Sequence, residues 1–346
     1  MKLIEARNAH EALPKALTLL KREGFSRPSR NGGVQTVDGP VTTVYSHPQE
    51  RVVFWKERDA NPFFHLYESL WILAGRNDIA PLMRYAKNMA NYSDDGVKQW
   101  AAYGYRMRRE GMRDQLAIVA RRLQKDPTDR RCVVQIWDHV LDLDRAGVDV
   151  PCNLTLTFQI SHSGRLDMVV FNRSNDIIWG AYGANAVHFG AVHEYMSIWV
   201  GVPQGRYSQV SVNWHAYDDP LSKLADLAAQ AQSAIFGVPQ RIHDPYVNGD
   251  CYAAPMHLDT GNEAIVEVDN RIVELLLQVD MDFSFPSTFN DDNQFFLAAY
   301  HVLKAHRVWK SFPQEHRQLK AMHVLNQAPS QVDWVMAAKE WILRRP

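Results

Sequence analysis

Three segments of the chain place apolar residues at helical spacing. This pattern predicts a helix over residues 9–24, a second over Asn61–Gly75 that ends at the glycine, and a third over Asp114–Gln124. A fourth segment, residues 184–201, is apolar on nearly every side. We therefore expect it to form a buried central helix.

Alternating apolar and polar residues predict strands between these helices. The predicted strands cover residues 131–138, 152–161, 164–174, 205–217 and 264–269, and residues 41–55 are expected to be extended. Residues 25–40 are rich in Gly, Pro and Ser and predict a loop. Strands and helices are mixed without strict βαβ alternation, which favours an α+β fold in a single domain, residues 1–346.

Composition narrows the classes of function. The net charge is −1, so no basic field favours nucleic acid, and no apolar run reaches the roughly 18 residues of a membrane span. Three widely spaced cysteines indicate a reducing compartment, and we expect a cytoplasmic protein. His188 and His193 are spaced poorly for one helix face, and no metal site is predicted.

Cys152 follows Pro151 at the beginning of a predicted strand. A cysteine is most often a small buried apolar residue, and that interpretation competes with a catalytic one. A nucleophilic thiol needs nearby cations to favour the thiolate, and the rigid proline would hold it at one angle.

Several polar residues have two possible interpretations each. Arg173 and Ser174 can form a phosphate site or a turn in which Asp176 caps a helix. Arg130 and Arg131 can be a solvated surface pair or a second pair of guanidiniums for an anion. His215 and Tyr217 can be core residues or two hydrogen-bonding side chains on one face of a strand, and Glu68 can be a boundary residue or a desolvated acid with a raised pKa. Individually, none of these residues decides between the alternatives.

The order of these motifs resembles the thymidylate synthase family, which includes the deoxycytidylate and cytidylate hydroxymethylases. The motifs are Arg30-Asn-Gly-Gly, Glu68-Ser-Leu-Trp71, Tyr103-Gly104, Arg130-Arg131, Pro151-Cys152, Arg173-Ser174-x-Asp176, Gly180, Asn185 and His215-x-Tyr217. The resemblance covers residues 25–220, which would be the catalytic core, and leaves residues 221–346 as an atypical helical extension. It implies a thymidylate synthase-like fold and an obligate homodimer formed through the sheet.

The resemblance also implies a role for each matching residue. Cys152 would add to C6 of a pyrimidine nucleotide 5′-monophosphate, and C5 would take the one-carbon unit of 5,10-methylenetetrahydrofolate. The implied catalytic residues are Cys152, Glu68 and Tyr103; the implied phosphate ligands are Arg30, Arg173 and Ser174, with Arg130 and Arg131 reaching over from the partner subunit. The implied base and sugar ligands are Asn185, His215 and Tyr217, and the implied cofactor-binding residues are Asp176, Trp100 and Gly180.

Four departures from the family pattern bear on the product. Asn153 follows the cysteine where thymidylate synthases typically have His, and the segment between Gly180 and Asn185 is one residue longer than usual. The segment before Tyr103 is polar, with Trp100 as its one tryptophan, and the apolar closing tail of the family is not visible in KEWILRRP. Exclusion of water favours a methyl product, whereas admitted water gives hydroxymethyl.

The sequence therefore predicts a pyrimidine nucleotide 5-hydroxymethyltransferase that acts on dUMP or on (d)CMP. Asn185 favours uracil, because an amide both donates to O4 and accepts from N3–H. The alternatives are a thymidylate synthase and an inactive nucleotide-binding homologue.

Overall fold

The structure is a computed structural model that describes residues 1–229, 243–281 and 293–345. Its strands are β1 (Lys2–Ala6), β2 (Phe25–Ser29), β3 (Gly32–Thr36), β4 (Val41–Tyr45), β5 (Val133–Gln135), β6 (Asn153–Ile160), β7 (Leu166–Asp176) and β8 (Gln204–Tyr217). Its helices are α1 (Ala9–Glu23), α2 (Pro62–Leu73), α3 (Ala80–Tyr85), α4 (Tyr103–Arg108), α5 (Gln115–Lys125), α6 (His139–Asp142), α7 (Asn185–Val200), α8 (Asp218–Ser222), α9 (Pro245–Asn248), α10 (Asn262–Asp280), α11 (Gln294–Ser311), α12 (Gln314–Leu325) and α13 (Asp333–Leu343).

All eight strands belong to one mixed sheet. Its main order is β1–β4–β8–β7–β6–β5, and β3 carries the hairpin partner β2 onto the far part of β8. The β1–β4 and β7–β8 pairs are parallel, while the other pairs are antiparallel. The predicted α+β class and mixed sheet are confirmed.

One face of the sheet supports the predicted central helix. Of the residues of α7, all but Trp199 are buried, and the helix ends at Gly201, whose φ of 90° favours glycine. Helices α2, α5 and α10 pack around α7. The helix is therefore enclosed on all sides, as its continuous apolar sequence indicates.

The opposite face of the sheet is open among the described residues. Phe171 of β7 pairs with Thr155 of β6 and Val210 of β8, so the three side chains share this face. Phe171 is 37% exposed, and Val212, two residues after Val210, is 61% exposed. The sheet thus presents a partly apolar outer surface.

Two predictions of local structure are wrong. Residues 25–40, predicted as a loop, contain the β2–β3 hairpin, in which the short turn at Arg30 and Asn31 lets both strands pair. Residues 264–269, predicted as a strand from alternating apolar and polar residues, lie inside helix α10. Their buried members Ala264, Ile265 and Val268 continue a helical period, so packing against the core decides the structure.

The carboxyl-terminal helices pack against the core of the fold. Phe63 of α2 meets Trp341 of α13 edge to face, with ring centroids 5.2 Å apart. The Tyr195 hydroxyl of α7 donates to Asp269 of α10 at 2.9 Å. The described residues after 220 are mainly helical, with an irregular segment between α9 and α10, and the division into a core and an extension stays a prediction. Residues 230–242, 282–292 and 346 lie outside the described part. No helix in the described ranges is long and apolar enough to cross a membrane.

Candidate active site

Cys152 lies immediately before strand β6. It is half-buried, whereas the other two cysteines, Cys132 and Cys251, are buried. Burial raises the pKa of the Cys152 thiol, while the charges of Arg173 and Arg30 oppose that rise. Cys152 is therefore the accessible thiol of the chain, and two arginines favour its thiolate.

Arg173 fastens the segment that carries Cys152. Its Nε donates to the Pro151 carbonyl at 2.7 Å, and its Nη2 donates to the Val150 carbonyl at 3.0 Å. Its backbone N–H donates to the Cys152 carbonyl at 2.9 Å. Arg173 thus supplies both positive charge and rigidity at the thiol, and its remaining N–H groups would be free to bind an anion.

The other predicted phosphate ligands lie in two places. Arg30 lies at the turn of the β2–β3 hairpin, and its charge reaches the Cys152 thiol. Ser174 pairs with Asn213 where β7 runs beside β8. Arg130 and Arg131 are exposed just before β5, and the Nε of Arg131 donates to Asp129 at 2.9 Å. Arg30 and Ser174 thus lie near Cys152, whereas Arg130 and Arg131 lie on the surface at the edge of the sheet.

The ends of β7 and β8 bring the predicted sugar and cofactor residues together. The rings of His215 and Tyr217 meet edge to face at 5.3 Å, and Asp176 is the register partner of His215. Oδ1 of Asp176 accepts the backbone N–H of Ile178 at 2.9 Å and that of Trp179 at 2.5 Å, so Asp176 does cap a helical turn. Its Oδ2 is buried and has no hydrogen-bond partner among the described residues.

Asn153 and Asn185 form a side-chain contact beside the nucleophile. Nδ2 of Asn153 donates to Oδ1 of Asn185 at 3.1 Å. Tyr103 lies near Cys152 and Asn153, and burial raises its pKa. The Tyr103 ring stacks on Phe189 of α7 at 5.9 Å. The predicted catalytic tyrosine and the predicted base reader thus both lie close to Cys152 and to the residue that follows it.

Glu68 lies inside the molecule on helix α2. Its Oε2 is 3.3 Å from Nε2 of His188 on α7. Burial raises the pKa of Glu68 to about 8 and lowers the pKa of His188 to about 3. The interpretation of Glu68 as a desolvated acid therefore agrees with its surroundings, and the contact joins two groups that are neutral at pH 7.

Two residues predicted to bind cofactor have partners within the chain. The Trp100 indole donates to Asp142 at 2.9 Å, and the Arg145 guanidinium lies 3.8 Å from its ring centroid. At Gly180, an added Cβ would lie 2.5 Å from Oδ1 of Asn175. Gly180 thus allows the close approach of Asn175, and the cofactor roles of both residues stay predictions.

Sequence reasoning missed His188, Asn175 and Gln209. His188 follows Asn185 by three residues on α7, so both face the same side, and this spacing was available as a signal. Asn175 donates to Gln209 at 3.1 Å across β7 and β8, a contact with no sequence signature.

Comparisons with known proteins agree on one family. The family model described as thymidylate synthase matches residues 21–240. A deoxyuridylate hydroxymethyltransferase of Pseudomonas phage M6 is 46% identical over 346 residues, which is 100% of this chain and 95% of that protein. A second protein of that name, from Bacillus phage SP01, is 41% identical over 54% of this chain and 52% of its own length.

A solved structure is similar in fold. The crystal structure of thymidylate synthase from T4 phage aligns with a TM-score of 0.51 and 19% identity, over 62% of this chain and 79% of that one. At this identity the likeness concerns the fold alone, and it agrees with the mixed sheet and buried helix described above.

Proposed function

The chain belongs to the thymidylate synthase family, and we propose that it is a one-carbon transferase that hydroxymethylates C5 of dUMP. The protein of similar length from Pseudomonas phage M6 is a deoxyuridylate hydroxymethyltransferase by name. The product and base favoured by the sequence agree with that name. Thymidylate synthase activity remains the second candidate, because the family includes it.

One observation carries the proposal: helix α7 joins the nucleophile to the buried acid. Asn185, at the first position of α7, contacts Asn153 beside Cys152 at 3.1 Å. One turn later, His188 contacts Glu68 at 3.3 Å. A thiol, an amide that can read a base, and a desolvated carboxyl are therefore linked through one helical turn, as C5 chemistry on a pyrimidine requires.

The chain's own groups account for activation of the base. The sulfur of Cys152 adds to C6, and Arg173 and Arg30 hold the phosphate while their charge favours the thiolate. His215 and Tyr217 bind the sugar. 5,10-Methylenetetrahydrofolate supplies the one-carbon unit when bound. Oδ2 of Asp176, buried and without a partner among the described residues, suits an N–H donor of the pterin ring.

Addition of water completes the reaction that we propose. After C5 takes the one-carbon unit, loses its proton to water and is freed from tetrahydrofolate, the transferred carbon would be an exocyclic methylene double-bonded to C5. The water oxygen would bond to this carbon, and the proton of the water would pass to the carboxylate form of Glu68. The electron pair of the exocyclic double bond moves into the ring and re-forms the C5–C6 double bond as the C6–sulfur bond breaks. Cys152 leaves as a thiolate, so the step needs no oxidant or reductant.

A homodimer through the open sheet face belongs to the same proposal. The exposed side chains Phe171 and Val212 lie on that face, and the exposed Arg130 and Arg131 lie beside it. In a two-fold dimer each protomer can lend these arginines to its partner's phosphate site. This arrangement would give Arg130 and Arg131 the role that the family resemblance implies.

Product analysis tests the proposed activity. The purified protein is incubated with dUMP and 5,10-methylenetetrahydrofolate labelled on the transferred carbon, with UMP, dCMP and CMP in parallel. We expect labelled 5-hydroxymethyl-dUMP together with tetrahydrofolate. Thymidylate together with dihydrofolate would establish the second candidate, and labelling of none of the four nucleotides would indicate an inactive homologue.

A further inference from the structure

An asparagine alone does not distinguish uracil from cytosine. Its amide carries a donor and an acceptor, so it matches the O4 and N3–H of uracil in one orientation and the N4–H and N3 of cytosine in the other. The two orientations differ by a half-turn of the amide. Whatever fixes the amide of Asn185 therefore fixes the base that Asn185 can read.

A backbone carbonyl provides the fixed end of a chain of amides. The Ala181 carbonyl accepts Nε2 of Gln209 at 2.9 Å and the Tyr45 hydroxyl at 3.0 Å. A carbonyl can only accept, so the NH2 group of Gln209 must face it. Oε1 of Gln209 therefore faces the other way, towards Asn175.

The orientation of Gln209 in turn fixes the orientation of two more amide side chains. Nδ2 of Asn175 donates to Oε1 of Gln209 at 3.1 Å and to the Ser211 hydroxyl at 2.9 Å, which uses both of its N–H groups. Oδ1 of Asn175 then accepts Nδ2 of Asn185 at 2.9 Å. Oδ1 of Asn185 is left facing Asn153, which donates to it.

Asn185 keeps one unused N–H and one unused lone pair after these contacts. It is 8% exposed, whereas Asn153, Asn175 and Gln209 are 0%, 2% and 1% exposed. Turning the Asn185 amide over would bring its oxygen against Oδ1 of Asn175, whose orientation Gln209 fixes. Asn153 could turn over with it, because its own Oδ1 has no hydrogen-bond partner among the described residues, so Asn175 is the residue that opposes the reversed orientation.

We propose that Gln209 and Asn175 are specificity-determining residues that hold Asn185 in the orientation that reads uracil. Neither residue needs to touch the nucleotide, and both act through the orientation of Asn185. The inference rests on the proposed function, since dUMP as substrate implies that Nδ2 of Asn185 faces O4 and Oδ1 faces N3–H. Cys152 and the arginines hold the ring in one pose, so the reversed amide would suit cytosine.

A matched pair of substitutions at position 175 tests this proposal. Asn175→Leu removes the acceptor for Asn185, whereas Asn175→Asp keeps an oxygen there. Both substitutions remove the amide donor to Gln209 and Ser211. Gln209→Met removes the acceptor that orients the Asn175 amide, so it tests the same series of hydrogen bonds at a second position. Ser211→Ala is a control, because Gln209 still orients Asn175 in that variant. Equilibrium dissociation constants of dUMP and dCMP are measured for each folded variant.

We expect Asn175→Leu and Gln209→Met to lower the preference for dUMP over dCMP by roughly 10- to 100-fold, as loss of one or two buried hydrogen bonds allows. Asn175→Asp and Ser211→Ala should stay within about threefold of the unsubstituted protein. An unchanged preference in folded Asn175→Leu and Gln209→Met would overturn the proposal. Because binding is measured and not turnover, absence of hydroxymethylated product would refute the proposed function separately.

Discussion

Oε2 of Glu68 lies 3.3 Å from Nε2 of His188, and this contact joins helix α2 to helix α7 in the interior. Because burial disfavours charge on both groups, the carboxyl and the imidazole face each other in neutral form at pH 7. Burial also lowers the pKa of His65, whose ring lies 5.9 Å from that of His188, and the charges of His188 and Arg58 lower it further. The acid is therefore held ready to ionise only above neutral pH.

Activity should depend on the ionisation of Glu68. The carboxyl ionises as pH rises through its pKa of about 8, and only the carboxylate can take the proton of the attacking water. We expect kcat to rise with pH, to reach half of its maximum near pH 8 and to level off above it, and the Glu68→Gln variant to lose about 10²- to 10⁴-fold in kcat together with that dependence. Rates measured between pH 6 and 10 give the profile. His193→Gln, on the same helix but bonded to the Leu166 carbonyl, is the control; the same inflection in Glu68→Gln would contradict the assignment.

Cys152 should be the only site of covalent attachment. A 5-fluoropyrimidine nucleotide, whose C5 carries fluorine in place of the proton that must leave, should be trapped on the sulfur in the presence of the folate. We expect one adduct per chain by mass spectrometry and none in Cys152→Ser, whose kcat should fall by roughly 10³-fold or more. Cys132→Ala and Cys251→Ala should keep the adduct. An adduct on either of these buried cysteines would remove Cys152 from its role.

Asn185→Asp should exchange the preferred base. A carboxylate can accept from N4–H of cytosine but repels O4 of uracil, and it also places an acceptor against Oδ1 of Asn175. We expect the ratio of kcat/KM for dUMP to that for dCMP to fall by about 100-fold, with some loss of thermal stability. Steady-state kinetics with both nucleotides measure the ratio. A ratio equal to that of the parent protein would exclude Asn185 as a base reader.

Mixed subunits should reveal an arginine contribution across the dimer. Cys152→Ser and the double variant Arg130→Ala/Arg131→Ala should each be nearly inactive. After reversible dissociation and mixing, about half of the dimers pair one of each, and each such dimer has one intact site. We therefore expect recovery of about a quarter of the parent activity. A mixture as inactive as its components would show that the arginines serve their own protomer or neither.

Asp333 should make stability depend on pH. Burial raises its pKa from 3.8 to about 7, while the Tyr246 hydroxyl donates to it at 2.8 Å. Between these values the native state holds a proton that the unfolded chain has released, so the free energy of unfolding falls as pH rises, by up to about 4 kcal/mol. Asp333→Asn should flatten this fall. Denaturant unfolding at fixed protein concentration from pH 4 to 8 measures it, with the exposed Asp219→Asn as control; equal slopes in Asp333→Asn and the parent would contradict the prediction.

The sequence predicted the parts of the fold that local pattern decides. The buried helix α7, the helix after Asp114 and the long strands β6 to β8 are confirmed, because their apolar periodicity is continuous. The β2–β3 hairpin was missed because β2 is exposed and the segment is rich in Gly and Pro, so that pairing of β3 with β8 decides its structure. The strand predicted over residues 264–269 was wrong because packing of helix α10 against α7 outweighs β propensity.

The candidate site likewise contains residues that the sequence identified and residues that it missed. Cys152, Arg173 and Asn185 were identified because their motifs occur in a recognisable order along the chain. The hydrogen-bond partners that orient these residues were not identified, because they are far apart in the sequence. Gln209 lies 34 residues from Asn175, and Asn185 lies 32 residues from Asn153. Contacts of this kind depend on strand register and on the angle of α7 over the sheet, which a single sequence does not contain.

The segment Ile177–Ala184 forms a wide, π-type turn broken at Tyr182 and Gly183, and it contains the residues between Gly180 and Asn185 that the sequence predicts to be one longer than the family pattern. The carbonyl of Ala181, which begins the ordered series of amides, belongs to that turn. The backbone of this turn thus takes part in orienting the amide that reads the base. A change in the length of the turn would therefore act on nucleotide recognition while every side chain that contacts the nucleotide stays the same.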